Sequence, residues 1–161
     1  MKTLSFAHST AGPLYFVLLH TPAEPDPEEW SAYLRVLRNK VTPEAKPVHV
    51  FVATDGGGPN AAQRQDLAHL ADRPDRGPVM HVFTNETFAR VIVSAFTWIA
   101  GARATAHAPA EFPAVCTELG LSPADVLFDL IVAERAIPKT RVMRFMNDAV
   151  NRHRLAADRS A

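Results

Sequence analysis

The chain has 161 residues, a length typical of one domain with a substantial hydrophobic core. Lys plus Arg and Asp plus Glu number 17 each, so the molecule as a whole offers no general electrostatic attraction to nucleic acid or an anionic membrane. A single cysteine, Cys116, excludes an internal disulfide, and no run of about 18 apolar residues predicts a membrane span. We therefore expect a soluble cytoplasmic domain without a nucleic-acid partner.

The first elements predicted along the chain are a hairpin and a helix. Apolar segments at 4–8 and 14–20 flank Ser-Thr-Ala-Gly-Pro, and the second strand is predicted to be internal because both of its faces are apolar. Asp26 is followed by Pro27 and two glutamates, a pattern typical of a helix start, and we expect a helix over 27–39.

A glycine loop, residues 54–60, is the most informative feature of the sequence. The apolar run over 48–53 predicts a buried strand, and the three glycines after it can adopt positive φ without steric cost. Loops of this kind lie at the carboxyl end of a strand, where open α/β sheets bind ligands and partners. The residues expected to bind a partner or an anion there are Thr54, Asp55, Gly56, Gly57, Gly58 and Asn60, the last of which is also a good helix cap.

Two interpretations of these glycines stay open. Their N–H groups can form a nest for an anion at a helix N-terminus, or the turn can shape a surface that contacts a protein. The chain has neither the Gly-Lys-Ser/Thr ending nor the GxGxxG spacing of a phosphate loop, and the Asp55 carboxylate repels anions. The sequence therefore favours a protein-binding turn.

The rest of the chain continues the alternation of strands and helices. The predicted elements are a helix ending near 72, a strand over 79–83, a helix over 88–99, an edge strand over 103–108, and helices over 111–119, 123–136 and 139–155. This order predicts an α/β fold that ends in two additional helices.

Three features of the sequence together resemble a known family. They are the opening strand pair with its helix, the run Val50-Phe-Val-Ala-Thr-Asp-Gly-Gly that leads into a helix, and Val79-Met-His-Val-Phe-Thr-Asn with the elements that end at Gly120. Over about residues 4–121 this order is similar to the STAS-like fold of anti-sigma-factor antagonists and of bacterial STAS/Sec14-type single-domain proteins. The resemblance implies a mixed sheet of about five strands with helices packed on it over 1–121. Residues 122–161 are then a C-terminal helical extension of the same domain.

The regulatory motif of that family is an aspartate followed by Ser or Thr and then Gly, in which a partner kinase phosphorylates the hydroxyl. Asp55 matches the acidic position, but Gly56 and Gly57 stand at the hydroxyl positions, and Thr54 lies on the other side of Asp55. The resemblance therefore implies a docking surface at this loop, whereas the phosphorylation switch lacks its usual hydroxyl.

Metal binding and cysteine catalysis are disfavoured by residue spacing. His49, His81 and His107 lie on predicted strands, so parallel pairing could bring two of them together, but the chain has no HxxxH or HExxH motif. We expect isolated, partly exposed histidines and no metal or other cofactor. Cys116 lies among small and apolar residues of a predicted helix, which is typical of packing rather than of a nucleophile.

Two further segments are candidates for a partner surface. Trp98 lies away from the apolar face of its predicted helix, as an exposed anchor for a partner would. In the last helix we expect Phe145, Met146 and Val150 to pack on the domain or on a second copy of it. The arginines of this helix form either a surface for a partner or an ordinary solvated face, and the candidates are Arg141, Arg144 and Arg152.

The expected function follows from the loop and the resemblance. We expect a non-enzymatic regulatory or protein-interaction module, whose partner is another protein or a second copy of the chain. A small-ligand or lipid-binding domain, suggested by the Sec14-like side of the resemblance, is an alternative. An enzyme that uses Asp55 and Thr54, and a self-assembling structural subunit, are the others.

Overall fold

A computed structural model describes residues 1–41, 46–70, 77–85 and 103–159 of the chain. Within these ranges the chain forms five strands: β1 (Leu4–His8), β2 (Tyr15–His20), β3 (His49–Thr54), β4 (Val79–Phe83) and β5 (Arg103–His107). It also forms five α-helices: α1 (Pro27–Arg38), α2 (Ala61–Ala68), α3 (Phe112–Glu118), α4 (Pro123–Glu134) and α5 (Arg141–Asp158). The predicted helix over 88–99, with Trp98 in it, lies outside the described residues.

The strands form one mixed sheet in the order β1-β2-β3-β4-β5, which confirms the predicted α/β class. β1 is antiparallel to β2, as expected for a hairpin, and β2 to β5 are parallel to one another. All six residues of β2 are buried, which confirms its internal position, and β5 lies at the edge as predicted. Because β3 is the central strand, the glycine loop leaves the middle of the sheet.

Helices α1 and α2 cover one face of the sheet. Asp26 accepts hydrogen bonds from the backbone N–H groups of Glu28 (2.9 Å) and Glu29 (3.2 Å), which confirms the predicted cap of α1. The apolar residues of α1 recur three and four positions apart, so they share the side that faces the sheet. The buried residues of this layer are Leu4, Phe16, Leu18, Trp30, Tyr33, Leu34, Leu37, Val48, Val50, Val52, Leu67, Leu70, Met80 and Val82.

Helices α3, α4 and α5 cover the opposite face. Side chains alternate across a strand, so the residues between those of the first core point into this second one. Its buried residues are Tyr15, Val17, Leu19, Phe51, Ala53, Phe83, Phe112, Val115, Cys116, Leu121, Val126, Leu127, Leu130, Ala133, Ile137, Val142, Met143, Met146 and Val150. The last two helices therefore pack on the sheet and do not project from it.

The last helix follows its predicted orientation except at one residue. Met146 and Val150 are buried and Arg144 is exposed, as expected. Phe145 does not pack fully on its own domain, since its side chain is 38% exposed, and the alternative of contact with a second copy stays a prediction. With 3.6 residues per turn, Phe145 falls just outside the apolar stripe, and the Arg144 guanidinium lies 5.4 Å from its ring centre.

A buried carboxylate positions the start of α5. Glu134, at the end of α4, is 5% exposed and accepts hydrogen bonds from the Lys139 ammonium (2.9 Å), the Thr140 N–H (2.9 Å) and the Thr140 hydroxyl (3.0 Å). Three donors offset the cost of burying this charge. The connection between α4 and α5 is thereby fixed, and the N-terminus of α5 lies next to the glycine loop.

Candidate functional site

The glycine loop begins at Thr54, the last residue of β3, and runs to the start of α2. The Thr54 side chain is buried, and its hydroxyl donates to the Gly56 carbonyl (2.7 Å) and accepts from the Gly56 N–H (3.0 Å). The same hydroxyl lies 3.3 Å from Nδ1 of the buried His20 on β2. Thr54 therefore fixes the first turn of the loop, and its oxygen lies inside the protein.

Gly57 is a position of the loop that requires glycine on two grounds. Its φ is +72°, in the left-handed region that residues with a Cβ seldom adopt. A side chain there would also place its Cβ 2.2 Å from the carbonyl oxygen of Pro22, in the segment after β2. The loop backbone consequently packs directly on that segment, while Gly57 keeps an exposed outer side.

The far end of the loop is attached to the same segment. Asn60 accepts a hydrogen bond from the Gln63 N–H (2.9 Å), and the Gln63 side chain accepts one from the Asn60 N–H (3.0 Å), so a capping box begins α2. The Asn60 amide also donates to the Glu24 carboxylate, and the Gln63 amide donates to the Pro25 carbonyl (2.7 Å). The predicted cap at Asn60 is confirmed, and its neighbours hold the loop from a second side.

Asp55 caps the last helix of the chain. Its carboxylate oxygens accept hydrogen bonds from the backbone N–H groups of Arg141 (2.6 Å) and Val142 (2.7 Å), the first two residues of α5. Thr140, which precedes them, makes no side-chain cap of its own. A negative charge is favoured at a helix N-terminus, and charge-assisted hydrogen bonds are among the stronger ones. Asp55 therefore joins the loop to a helix that begins 86 residues later.

The three candidate arginines do not lie together. The Arg141 Nε is 4.0 Å from the Asp55 Oδ2, and the Arg141 side chain is 72% exposed at the edge of the glycine loop. Arg144 and Arg152 are exposed farther along α5. Of the predicted partner-surface residues, Arg141 thus adjoins the loop, and the fourth, Trp98, lies outside the described residues.

A second cluster, which we call the histidine row, crosses β3, β4 and β5. His49 Nδ1 lies 3.0 Å from His81 Nε2, and His81 Nδ1 lies 3.4 Å from His107 Nε2. The expectation of isolated histidines is therefore wrong. In the parallel register Phe51 pairs with His81, and Phe83 pairs with His107. Each histidine is therefore displaced by two residues along the sheet from the histidine of the preceding strand. The three side chains lie on a diagonal of one sheet face.

Burial lowers the pKa of each histidine in the row. For His81 the pKa falls to about 4, first through desolvation and then through the charges of the two neighbouring rings. The row is therefore uncharged at neutral pH. The facing nitrogens meet in pairs and do not converge on one point, and within the described part of the chain no group of three or more His, Cys, Asp or Glu residues is arranged to hold a metal ion.

Cys116 lies in the second core. Burial raises the pKa of its thiol to about 12, so the thiol stays protonated at neutral pH. A protonated, buried thiol is a poor nucleophile, which agrees with the packing role predicted for this residue.

Comparison of the chain with protein-family models, with curated proteins and with solved structures found no match. Among the helices in the described ranges, none has both the length and the apolar character needed to cross a membrane. The glycine loop and its contacts therefore carry the functional proposal.

The sequence does not predict two long-range features, the cap that Asp55 supplies to α5 and the alignment of the histidine row. A cap supplied from 86 residues away leaves no local pattern at either end. The histidine row does leave a weak one, because β3 and β4 share the tripeptide His-Val-Phe at His49 and His81. Identical alternation in adjacent strands would place like residues on the same face, but the register that joins them is set by the folded sheet.

Proposed function

We propose that the chain is a non-enzymatic regulatory or protein-interaction module of the STAS type, acting in a bacterial cytoplasm, which binds another protein through the glycine loop. The observation that carries the proposal is the attachment of this loop on separate sides, by Pro22 and Glu24 after β2 and by the N-terminus of α5. Gly57 still has an exposed outer side.

A loop held in this way is suited to binding because little conformational entropy is lost when a partner orders it further. Pro22 and Glu24 hold its middle and its end, and the Asp55 cap prevents it from separating from α5. The loop also lies at the carboxyl end of the central parallel strand, where α/β sheets place their binding surfaces. The loop, the first turn of α2 and Arg141 then form one continuous candidate surface.

The contacts of the two polar loop residues favour this proposal over the enzymatic alternative. Both Asp55 oxygens already accept backbone hydrogen bonds, and the Thr54 hydroxyl is occupied by Gly56. A general base or nucleophile must be directed at the substrate, whereas Asp55 is directed at the start of α5 and Thr54 at its own loop. The burial of Thr54 likewise supports a docking surface without phosphorylation at this position, because a kinase must reach the hydroxyl.

A pair of matched variants tests the proposed surface. Ala62, in the first turn of α2 beside the loop, and Ala114, in the first turn of α3 on the opposite face, are both exposed. Ala62→Arg adds a long charged side chain next to the loop, whereas Ala114→Arg adds the same side chain away from it. Wild type and both variants are used as baits in lysate of the native cell, and captured proteins are quantified by mass spectrometry.

We expect a protein that wild type and Ala114→Arg capture equally and that Ala62→Arg fails to capture. Capture that is equal for all three baits would contradict docking at the glycine loop. Capture of the chain itself, sensitive to Ala62→Arg, would identify the partner as a second copy. Circular dichroism of both variants confirms that they are folded before the comparison is made.

A further inference from the structure

The rings of the histidine row are arranged for hydrogen bonds along a line. The centres of the His49 and His81 rings are 5.3 Å apart, and the facing nitrogens are 3.0 Å apart, so 2.3 Å of the separation lies within the rings. That remainder is about the sum of the two distances from ring centre to ring nitrogen. Both nitrogens therefore lie close to the line that joins the ring centres. For His81 and His107 the distances are 5.6 Å and 3.4 Å. The ring planes differ by 25° and 29°, so each pair is close to coplanar.

This geometry requires a single tautomer in all three rings at neutral pH. Each facing pair of nitrogens needs one hydrogen, because a neutral imidazole has one N–H donor and one bare acceptor. If His49 donates through Nδ1, His81 must accept at Nε2 and donate through Nδ1. His107 must then accept at Nε2 and carry its own hydrogen on Nδ1. In the opposite direction all three rings carry their hydrogen on Nε2.

The number of ring nitrogens also limits how many protons the row can take up. Three neutral rings carry three hydrogens, of which two lie between rings and one lies on an outer nitrogen, either Nε2 of His49 or Nδ1 of His107. One added proton fills the other outer nitrogen, and both hydrogen bonds remain. A second added proton would have to enter a facing pair, where two N–H groups would oppose each other.

We propose that His49, His81 and His107 bind one proton as a unit and carry it between the two ends of the row. When a proton bonds to the outer nitrogen of one end ring, each hydrogen between two rings moves to the facing nitrogen of its pair. The N–H bond of the donor breaks as that of the acceptor forms, and the outer N–H at the far end is then free to release its proton. This property goes beyond the proposed function and does not depend on it.

The surroundings of the row give it a direction. Among the described residues, Arg103 of β5 disfavours a charge at His49, whereas Glu111 and Glu118 favour one at His107. The bound proton therefore resides nearer the His107 end. Phe51 and Phe83 lie beside the rings, with ring centres 5.5 Å from His81 and 5.1 Å from His107, and shield them on one side from water.

Long-range proton–nitrogen NMR of the full chain with nitrogen-15 histidine tests this inference. The nitrogen shifts report the tautomer and the charge of each ring between pH 7.5 and the onset of acid unfolding. The wild type is compared with His81→Gln, which removes the central ring, and with His153→Gln at an exposed position of α5 as the control.

We expect one common tautomer for the three rings at pH 7.5, and one proton in total taken up by the row along a single shared titration curve. In His81→Gln the two remaining rings should titrate separately and take up two protons, while His153→Gln should leave the row unchanged. Different tautomers among the three wild-type rings, three separate curves, or a second proton in the folded state would overturn the proposal. The wild-type spectra decide this even if His81→Gln does not fold.

Discussion

Replacement of Asp55 by alanine is expected to destabilise the protein through the loss of the α5 cap. Asp55 accepts two hydrogen bonds of 2.6 and 2.7 Å from the helix N-terminus, and its side chain is only 13% exposed. Loss of a single cap costs about 0.5–2 kcal/mol, and a hydrogen bond to a charged group contributes about 1.5–3 kcal/mol. We therefore expect Asp55→Ala to lower the free energy of unfolding by about 2–3 kcal/mol. For a domain of this size, the melting temperature should fall by roughly 5–10 °C.

Thermal and urea unfolding, followed by circular dichroism, measure this effect. Asp55→Asn retains one acceptor oxygen and should lose about 1 kcal/mol, since it keeps one hydrogen bond but not the charge. Asp66→Ala, at an exposed position of α2, is the control and should change stability by less than about 0.5 kcal/mol. If Asp55→Ala melts like Asp66→Ala, the carboxylate does not cap α5. It would then be free to contact a partner directly.

Two further predictions concern the loop and the effect of acid. Gly57→Ala should destabilise the protein by several kcal/mol more than Gly120→Ala, because both glycines have φ near +70° but only the new Cβ at position 57 would lie 2.2 Å from a backbone oxygen, that of Pro22. Equal melting temperatures would show that the loop does not pack on Pro22. The melting temperature should be lower at pH 5.5 than at pH 7.5, because burial lowers the pKa of His20, so the unfolded state binds its proton first as the pH falls below 6.5. A His20→Asn variant should lose part of this sensitivity to acid, and the same pH dependence as wild type would contradict the assignment.

Much of the fold is encoded in local patterns and could be predicted from the sequence. The hairpin, the internal β2 and the cap at Asn60 each depend on residues close together in the chain, where periodicity and capping act directly. The position of the glycine loop follows from the strand before it and the helix after it. These features needed no knowledge of how distant segments pair.

The remaining features depend on the register of the sheet and on packing between layers. His49, His81 and His107 share a diagonal only because β4 and β5 pair with a particular offset, and a shift by one residue would move a histidine to the other face. Asp55 was predicted at the loop surface, but its orientation is set by the place where α5 packs. The exposure of Phe145 could not be predicted from periodicity, because a small change in helix rotation decides whether a residue at the border of an apolar stripe is covered.

The affinity of the purified partner for the two arginine variants is the most direct test of docking at the glycine loop. Isothermal titration calorimetry gives the dissociation constants of wild type, Ala62→Arg and Ala114→Arg under the same conditions. The proposed function predicts that Ala62→Arg weakens binding by at least about tenfold, or about 1.4 kcal/mol, while Ala114→Arg binds like wild type. Equal affinity of wild type and Ala62→Arg would contradict it, and loss of binding in Ala114→Arg alone would place the partner on the opposite face of the sheet.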